Sequence, residues 1–231
     1  MGLREFKMNS KNLLDPKDLW LVIPTSNRHK FLPEIFQNSL IPEHQIVLIR
    51  TTPGRNFENV NNLFVRSKKI NIQKWWNIGI KFAEKRGARF VAVLNDDVWI
   101  AKGSLQAMAT EALLQQVPLV FPFPHTGKLA GYCWVLNLGF KVRPDNRFKW
   151  WYGDNDLQMQ AQKLKKYIYV PVEVKHLESG TLTKELPLLQ KFAEKDHYKF
   201  IYKWGDKRQR REVRVWLYYK LRENLKNYLL K

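Results

Sequence analysis

The feature that most constrains this chain is a unit that repeats: an apolar run of strand length, a polar turn, then a stretch of helical periodicity. Residues 19–24 are apolar and rich in β-formers, and Thr25, Ser26 and Asn27 follow with the turn chemistry expected past a buried strand. A helix is predicted over about 33–38, and 44–52 reads as a second strand closed by Pro53 and Gly54. Over 72–86, Ile72, Trp75, Trp76, Gly79 and Ala83 recur at spacings of three and four while Lys74, Lys81 and Lys85 lie largely elsewhere, so one helix face is buried until Gly87 ends it. Residues 90–94 form a continuous apolar strand that runs into Asn95, Asp96 and Asp97, and 104–116 is a further helix halted before Pro118. This alternation predicts an α/β fold, a single Rossmann-like domain with a mostly parallel central sheet flanked by helices.

Past Pro118 the rhythm shortens. Apolar pieces at 119–123 and 129–136 lead into a basic, aromatic loop ending at Trp150, Trp151, Tyr152 and Gly153. Asp154 opens a helix to about 166, 167–174 is one more strand, and His176 stands just beyond its end. One boundary is predicted, near Gly205: residues 1–205 form the domain, with halves at about 19–117 and 118–205, and 206–231 form a basic amphipathic helix. In that tail Val213, Leu217, Leu221, Leu225 and Leu229 recur every fourth residue, while Arg211, Arg214, Arg222 and Lys226 take other faces.

Composition narrows the setting. Hydrophobic content of 45% and aromatic content of 13% belong to a chain that packs a core. Cys133 is the single cysteine, so neither an intramolecular disulfide nor a cysteine zinc cluster can be assembled, and a reducing cytoplasmic setting is expected. No segment has the apolar character of a signal peptide or the apolar length of a membrane span. Forty Lys and Arg against 21 Asp and Glu leave a formal charge of +19, which predicts a polyanionic partner: DNA or another nucleic acid, or an anionic membrane surface.

Parallel α/β sheets place ligand sites at the carboxyl ends of their strands, and Asp96 and Asp97 fall at such an end. Two hard oxygen donors in a turn suit Mn²⁺ or Mg²⁺, which can bridge them to a diphosphate. Asn and Asp are also ordinary turn formers, so the pair in isolation has a plain structural reading. Lys74, Trp75 and Trp76 read as a helix packing on the sheet rather than as a site.

Several segments in the same order resemble the glycosyltransferase family 2-like group, whose fold is the GT-A fold. They are Leu21 to Thr25, Asn77 to Ile80, Val93 to Asp97, Trp151 to Leu157, His176, and Lys203, Trp204 and Gly205. The resemblance implies a transferase that moves sugar from a nucleotide-sugar, by preference one of uridine diphosphate, to a hydroxyl with inversion. It implies a metal on Asp97, with His176 completing the coordination and Asp96 on the ribose or sharing the metal. Pro24, Thr25, Arg28, Thr51, Thr52, Asn77 and Asn95 then surround the nucleotide-sugar. Asn95 stands where family members carry an acid, and an amide contributes no charge to a metal. Asp154 and Asp156 are the candidates for the general base that takes the acceptor's proton, with the helix N-cap as the competing role for Asp154.

Trp150, Trp151 and Tyr152 follow Lys141, Arg143, Arg147 and Lys149. The mixture makes either a platform for a sugar ring or extruded nucleobase beside cations for a phosphate backbone, or a loop packing under the domain. Residues Asn71 to Asp97 resemble the phage TET-associated DNA glycosyltransferases, which implies a hydroxymethylated pyrimidine in DNA as acceptor. An envelope or lipopolysaccharide transferase docked on the inner leaflet by its C-terminal helix is the alternative. A basic nucleic-acid-binding module with an incidental acidic turn leaves Asp96, Asp97, Asp154 and His176 unexplained together.

Overall fold

The computed structural model describes residues 14–25, 30–52, 56–66, 70–123, 131–164, 166–177, 180–215 and 217–218. Seven strands form the central sheet: β1 (Leu19–Thr25), β2 (Ile46–Arg50), β3 (Asn61–Phe64), β4 (Phe90–Leu94), β6 (Leu119–Pro122), β7 (Cys133–Asn137) and β8 (Tyr167–Val170). Their order is β3-β2-β1-β4-β7-β6-β8. Every pairing is parallel except the two made by β7, which runs against both β4 and β6. The remaining strands, β5 (Val98–Ile100) and β9 (Val174–His176), pair antiparallel as a separate two-stranded ribbon.

All seven residues of β1 and all five of β4 are buried, the sign of central strands covered on both faces. Successive side chains point to opposite faces, and the two cores divide accordingly. Leu19, Leu21, Ile23, Phe90, Ala92 and Leu94 face α1 (Leu32–Ser39) and α3 (Ser104–Leu114). Trp20, Val22, Val91 and Val93 face α2 (Ile72–Glu84) and α4 (Gly153–Leu164). On α2, Gly79 is dictated by this packing, because a Cβ there would collide with the side chain of Val22. Asn71 caps α2 by accepting from the Lys74 amide at 3.0 Å.

The expected layout is altered at the edges. The second strand is shorter than 44–52, because residues 43–45 wind into a 3₁₀ turn before β2. The short strands β3 and β5 carry no period-two signature long enough to read. The single strand expected over 167–174 is two elements: β8 joins the main sheet, residues 171–173 leave it, and β9 pairs with β5 instead. His176 therefore lies within a strand of the ribbon rather than past the end of the sheet.

A long helix, α5 (Gly180–Trp204), follows, residues 205–206 break it, and 207–215 are helical again. Of the leucine stripe expected in the tail, Val213 is buried and Leu217 exposed, and Leu221, Leu225 and Leu229 lie outside the described residues. Among the described residues no helix is long and apolar enough to cross a membrane.

Candidate active-site cleft

The cleft opens where β1, β2 and β4 end, as expected of parallel strands whose following turns diverge. It has a volume of about 410 Å³, and Pro24, Thr25, Thr51, Thr52, Asn95, Asp96, Asp97 and His176 line one part of it. Thr25 ends β1 with its hydroxyl donating to Asp96 Oδ2 at 2.7 Å, which ties the tip of β1 to the turn after β4. Asn95 donates its amide to the Tyr132 carbonyl at 3.0 Å, so the same turn is also held from the β7 side.

The β5–β9 ribbon accounts for the meeting of residues 79 positions apart. Val98 pairs with His176, and the Leu177 amide donates to the Asp97 carbonyl at 2.9 Å. The His176 Nε2 then sits 3.0 Å from Asp97 Oδ1, with the histidine ring stacked on Tyr132 at 5.1 Å between centroids. The Asp97 side chain is only 6% exposed and that of His176 is 32% exposed, so the pair faces the cleft from a mostly dry wall. Burial, with Cys133 beside it, raises the Tyr132 phenol above its ordinary pKa and keeps it a neutral hydroxyl.

Among the described residues no three His, Cys, Asp or Glu side chains converge as a metal cage. Asp97 and His176 nevertheless suit a divalent ion shared with a diphosphate, since Mg²⁺-type ions take one or two protein carboxylates and fill the rest of their shell with phosphate oxygens and water. Asn95, an amide in the same turn, adds no charge.

Another part of the lining comes from the loop before α4. Trp150, Trp151 and Asp154 line the cleft there, together with Ile70, Ile72, Trp75 and Trp76. Asp154 lies in the first turn of α4 rather than at its cap, because the helix begins at Gly153. Burial raises the pKa of its carboxyl, while hydrogen bonds from the backbone amides of Asn155 and of Asp154 itself pull it the other way. Gly131 lies against that carboxylate so closely that any side chain there would collide with it.

Other expected site residues are placed elsewhere. Asp156 is fully buried away from the cleft, where it accepts from Trp204 Nε1 at 2.7 Å and Gln160 Nε2 at 2.7 Å and pairs with Lys203 at 2.6 Å. The side chain of Asn77 donates to the Pro144 carbonyl and to Asn146, so it secures a loop and does not line the cleft. Tyr152 has a left-handed φ of 62° and its hydroxyl meets His197 Nδ1 at 2.7 Å, again outside the lining. Arg28 lies outside the described residues. Trp75 and Trp76 do both jobs: each is buried against the sheet and each contributes to the cleft, a combination that their position in the first turns of an amphipathic helix could have suggested.

The basic residues around the aromatic loop are largely committed within the protein. Arg143 pairs with Glu84 at 2.6 Å, Arg147 with Asp145 at 2.5 Å, Lys199 with Asp196 at 2.8 Å, and Lys203 bridges Asp145 and Asp156. Burial pushes the Asp145 carboxyl up, but the hydrogen bonds from Arg147 and Lys203 outweigh it and hold the group well below the usual carboxylate range. Among the described residues, the Lys and Arg of 207–214 make one ion pair, Arg208 with Glu212.

Sheet order, the reversed β7 and a strand-end cleft with an acidic turn define the GT-A fold. No protein-family model matches the chain, and no curated protein matches it in sequence. Among solved structures, residues 1–349 of TarS from S. aureus are 11% identical with a TM-score of 0.50 over 67% of this chain and 59% of that one. The same fragment in complex with UDP-GlcNAc gives 13% identity and a TM-score of 0.51 over 70% of this chain and 61% of that one. The mannosyltransferase PcManGT from Pyrobaculum calidifontis, in complex with GDP-Man and Mn²⁺, gives 13% and 0.50 over 68% and 56%. At these identities the likeness is one of fold, and the match covers little more than half of these three solved chains and 36% of the longer TarS chain.

Proposed function

We propose that the chain is a nucleotide-sugar glycosyltransferase of the cytoplasm, with a hydroxymethylated pyrimidine in phage DNA as its acceptor. The observation that carries the transferase reading is one cleft lined by Asp96, Asp97 and His176 and also by Asp154, Trp150 and Trp151. Pro24, Thr25, Thr51 and Asp96 receive the nucleoside of a uridine diphosphate sugar. Asp97 and His176 would hold Mn²⁺ or Mg²⁺, and an ion bound there would supply positive charge to offset that of the diphosphate leaving group.

In an inverting transfer the acceptor oxygen attacks the anomeric carbon as the bond from that carbon to the diphosphate oxygen breaks. The electron pair leaves with the nucleoside diphosphate, and the acceptor proton passes to Asp154. A carboxyl whose pKa is raised by burial is a stronger base once ionised than one in water, which suits it to that proton. Trp150 and Trp151 offer the flat apolar faces against which a base or sugar ring stacks.

The charge of +19 supports the DNA acceptor, and the basic helix at 207–215 supplies the cations that the paired loop residues do not. One observation favours a second reading. Val215, Leu217 and Tyr218 are exposed beside Arg211 and Arg214, as an amphipathic segment on an anionic leaflet would be, and the acceptor would then be an envelope sugar.

Calorimetry with uridine diphosphate and Mn²⁺ tests the donor site. Binding is expected for the unmodified chain and lost in Asp97→Ala; equal binding by both overturns the assignment. Transfer to a hydroxymethylcytosine duplex, weakening steeply as salt rises, is expected of the DNA acceptor. Inactivity on that duplex with turnover of a lipid-linked sugar establishes the second reading instead.

A further inference from the structure

Helix α5 grips the aromatic wall through one carboxylate. Asp196 is fully buried, and its Oδ2 accepts three successive backbone amides: Lys149 at 2.8 Å, Trp150 at 2.9 Å and Trp151 at 3.2 Å. Its Oδ1 is taken by Lys199 at 2.8 Å, and the same lysine donates to the Arg147 carbonyl at 2.6 Å. Three consecutive N–H groups converging on one point form an anion-binding concavity, and here the anion comes from the chain itself.

The next residue, Tyr152, has φ 62°, a left-handed conformation that a side chain of its size rarely adopts. Its hydroxyl is held by His197, the neighbour of Asp196 on α5. The Trp151 indole donates to the Leu189 carbonyl at 3.1 Å, again on α5. Residues 145–148 turn locally around Asp145, whereas 149–152 are held by a helix some 45 residues further along.

We infer that Asp196 is the positioning residue of the acceptor wall, setting where Trp150 and Trp151 stand by gathering their amides. It touches neither donor nor acceptor and acts through the loop backbone. Asp97, His176 and Thr25 are held by β5, β9 and the turn after β4, so the donor side does not depend on it. This rests on the transferase reading above, in which Trp150 and Trp151 face the acceptor. The charge on Asp196 matters because a buried carboxylate accepting several N–H bonds binds them about twice as strongly as a neutral acceptor does.

The test is Asp196→Asn, which keeps the shape and removes the charge, beside Lys199→Met, which removes the cation and leaves the carboxylate on the three amides. Three measurements apply to each folded variant. Hydrogen exchange at 149–151 is expected to accelerate about tenfold or more in Asp196→Asn, as charge-assisted bonds become neutral ones, and less in Lys199→Met. Uridine diphosphate binding with Mn²⁺ is expected to stay within about twofold of the unmodified chain, a difference small against the tenfold of a whole hydrogen bond.

Turnover is expected to require a higher acceptor concentration, raising the acceptor KM with little change in kcat. The acceptor is the hydroxymethylcytosine duplex, or a lipid-linked sugar where the unmodified chain ignores the duplex. Unchanged exchange at 149–151 in Asp196→Asn overturns the proposal, as does a normal acceptor KM in that variant. Failure of the unmodified chain to bind uridine diphosphate overturns the transferase reading instead, and is recognised because no substitution is involved.

Discussion

Two carboxylates two positions apart, Asp154 and Asp156, are expected to fail in opposite ways, and Asp156→Ala is the more instructive loss. The Asp156 side chain is fully buried and meets Trp204 Nε1, Gln160 Nε2 and Lys203 Nζ. Truncation leaves an indole N–H, an amide and an ammonium without that partner. Breaking a buried charge pair from one side costs about 3–5 kcal/mol. Lys203 keeps Asp145 at 2.8 Å and its side chain is 24% exposed, so the low end applies, about 3 kcal/mol. For a chain of this length that corresponds to a melting temperature lower by roughly 6–12 °C. Calorimetric or circular-dichroism melts measure it, alongside uridine diphosphate binding below the transition, where the folded variant should bind as the unmodified chain does. A variant that melts normally yet transfers no sugar would refute the reasoning and return Asp156 to the chemistry.

Asp154→Asn is expected to bind the donor and transfer nothing. The unmodified chain should lose activity on the acid side at a pH above that of an ordinary carboxylate, since the folded pKa of Asp154 is raised and the base must be ionised. A raised folded pKa means that the stability contributed by the protonated form is present below the unfolded value and lost as pH rises through the folded one. At neutral pH Asp154→Asn should therefore melt no lower than the unmodified chain, as a pH series of melts would reveal. Gly79→Ala is expected to destabilise by about 1–3 kcal/mol through overpacking against Val22, read from urea midpoints, with donor binding of the folded fraction intact. Ellman's reagent should leave Cys133 untouched in the native chain and modify it in denaturant, because full burial pushes its thiol far above the usual range.

The central sheet was legible in the sequence wherever local signals and tertiary burial agree. Strands β1 and β4 are continuous apolar runs because both faces are covered, and the α2 stripe of Trp75, Trp76, Gly79 and Ala83 is the face that lies on them. The turn Asn95 to Asp97 could be placed at a strand end for the same reason. What the sequence leaves undecided are relations between distant residues. Pro171 has no N–H for the ladder and so marks where the chain leaves the sheet, but no local signal says what 174–176 pair with next, so the ribbon that sets His176 against Asp97 exists only once β5 and β9 pair. Asp154 and Asp156 look alike along the chain, yet the α4 helix turns one toward the cleft and the other to Trp204 and Lys203. Asp196 carries no motif at all; its role arises because α5 brings a buried carboxylate, paired with Lys199, to three successive amides of the loop. Periodicity and burial are properties of a segment and can be read from it, whereas the partner of a buried charge is chosen by the packing of the whole chain.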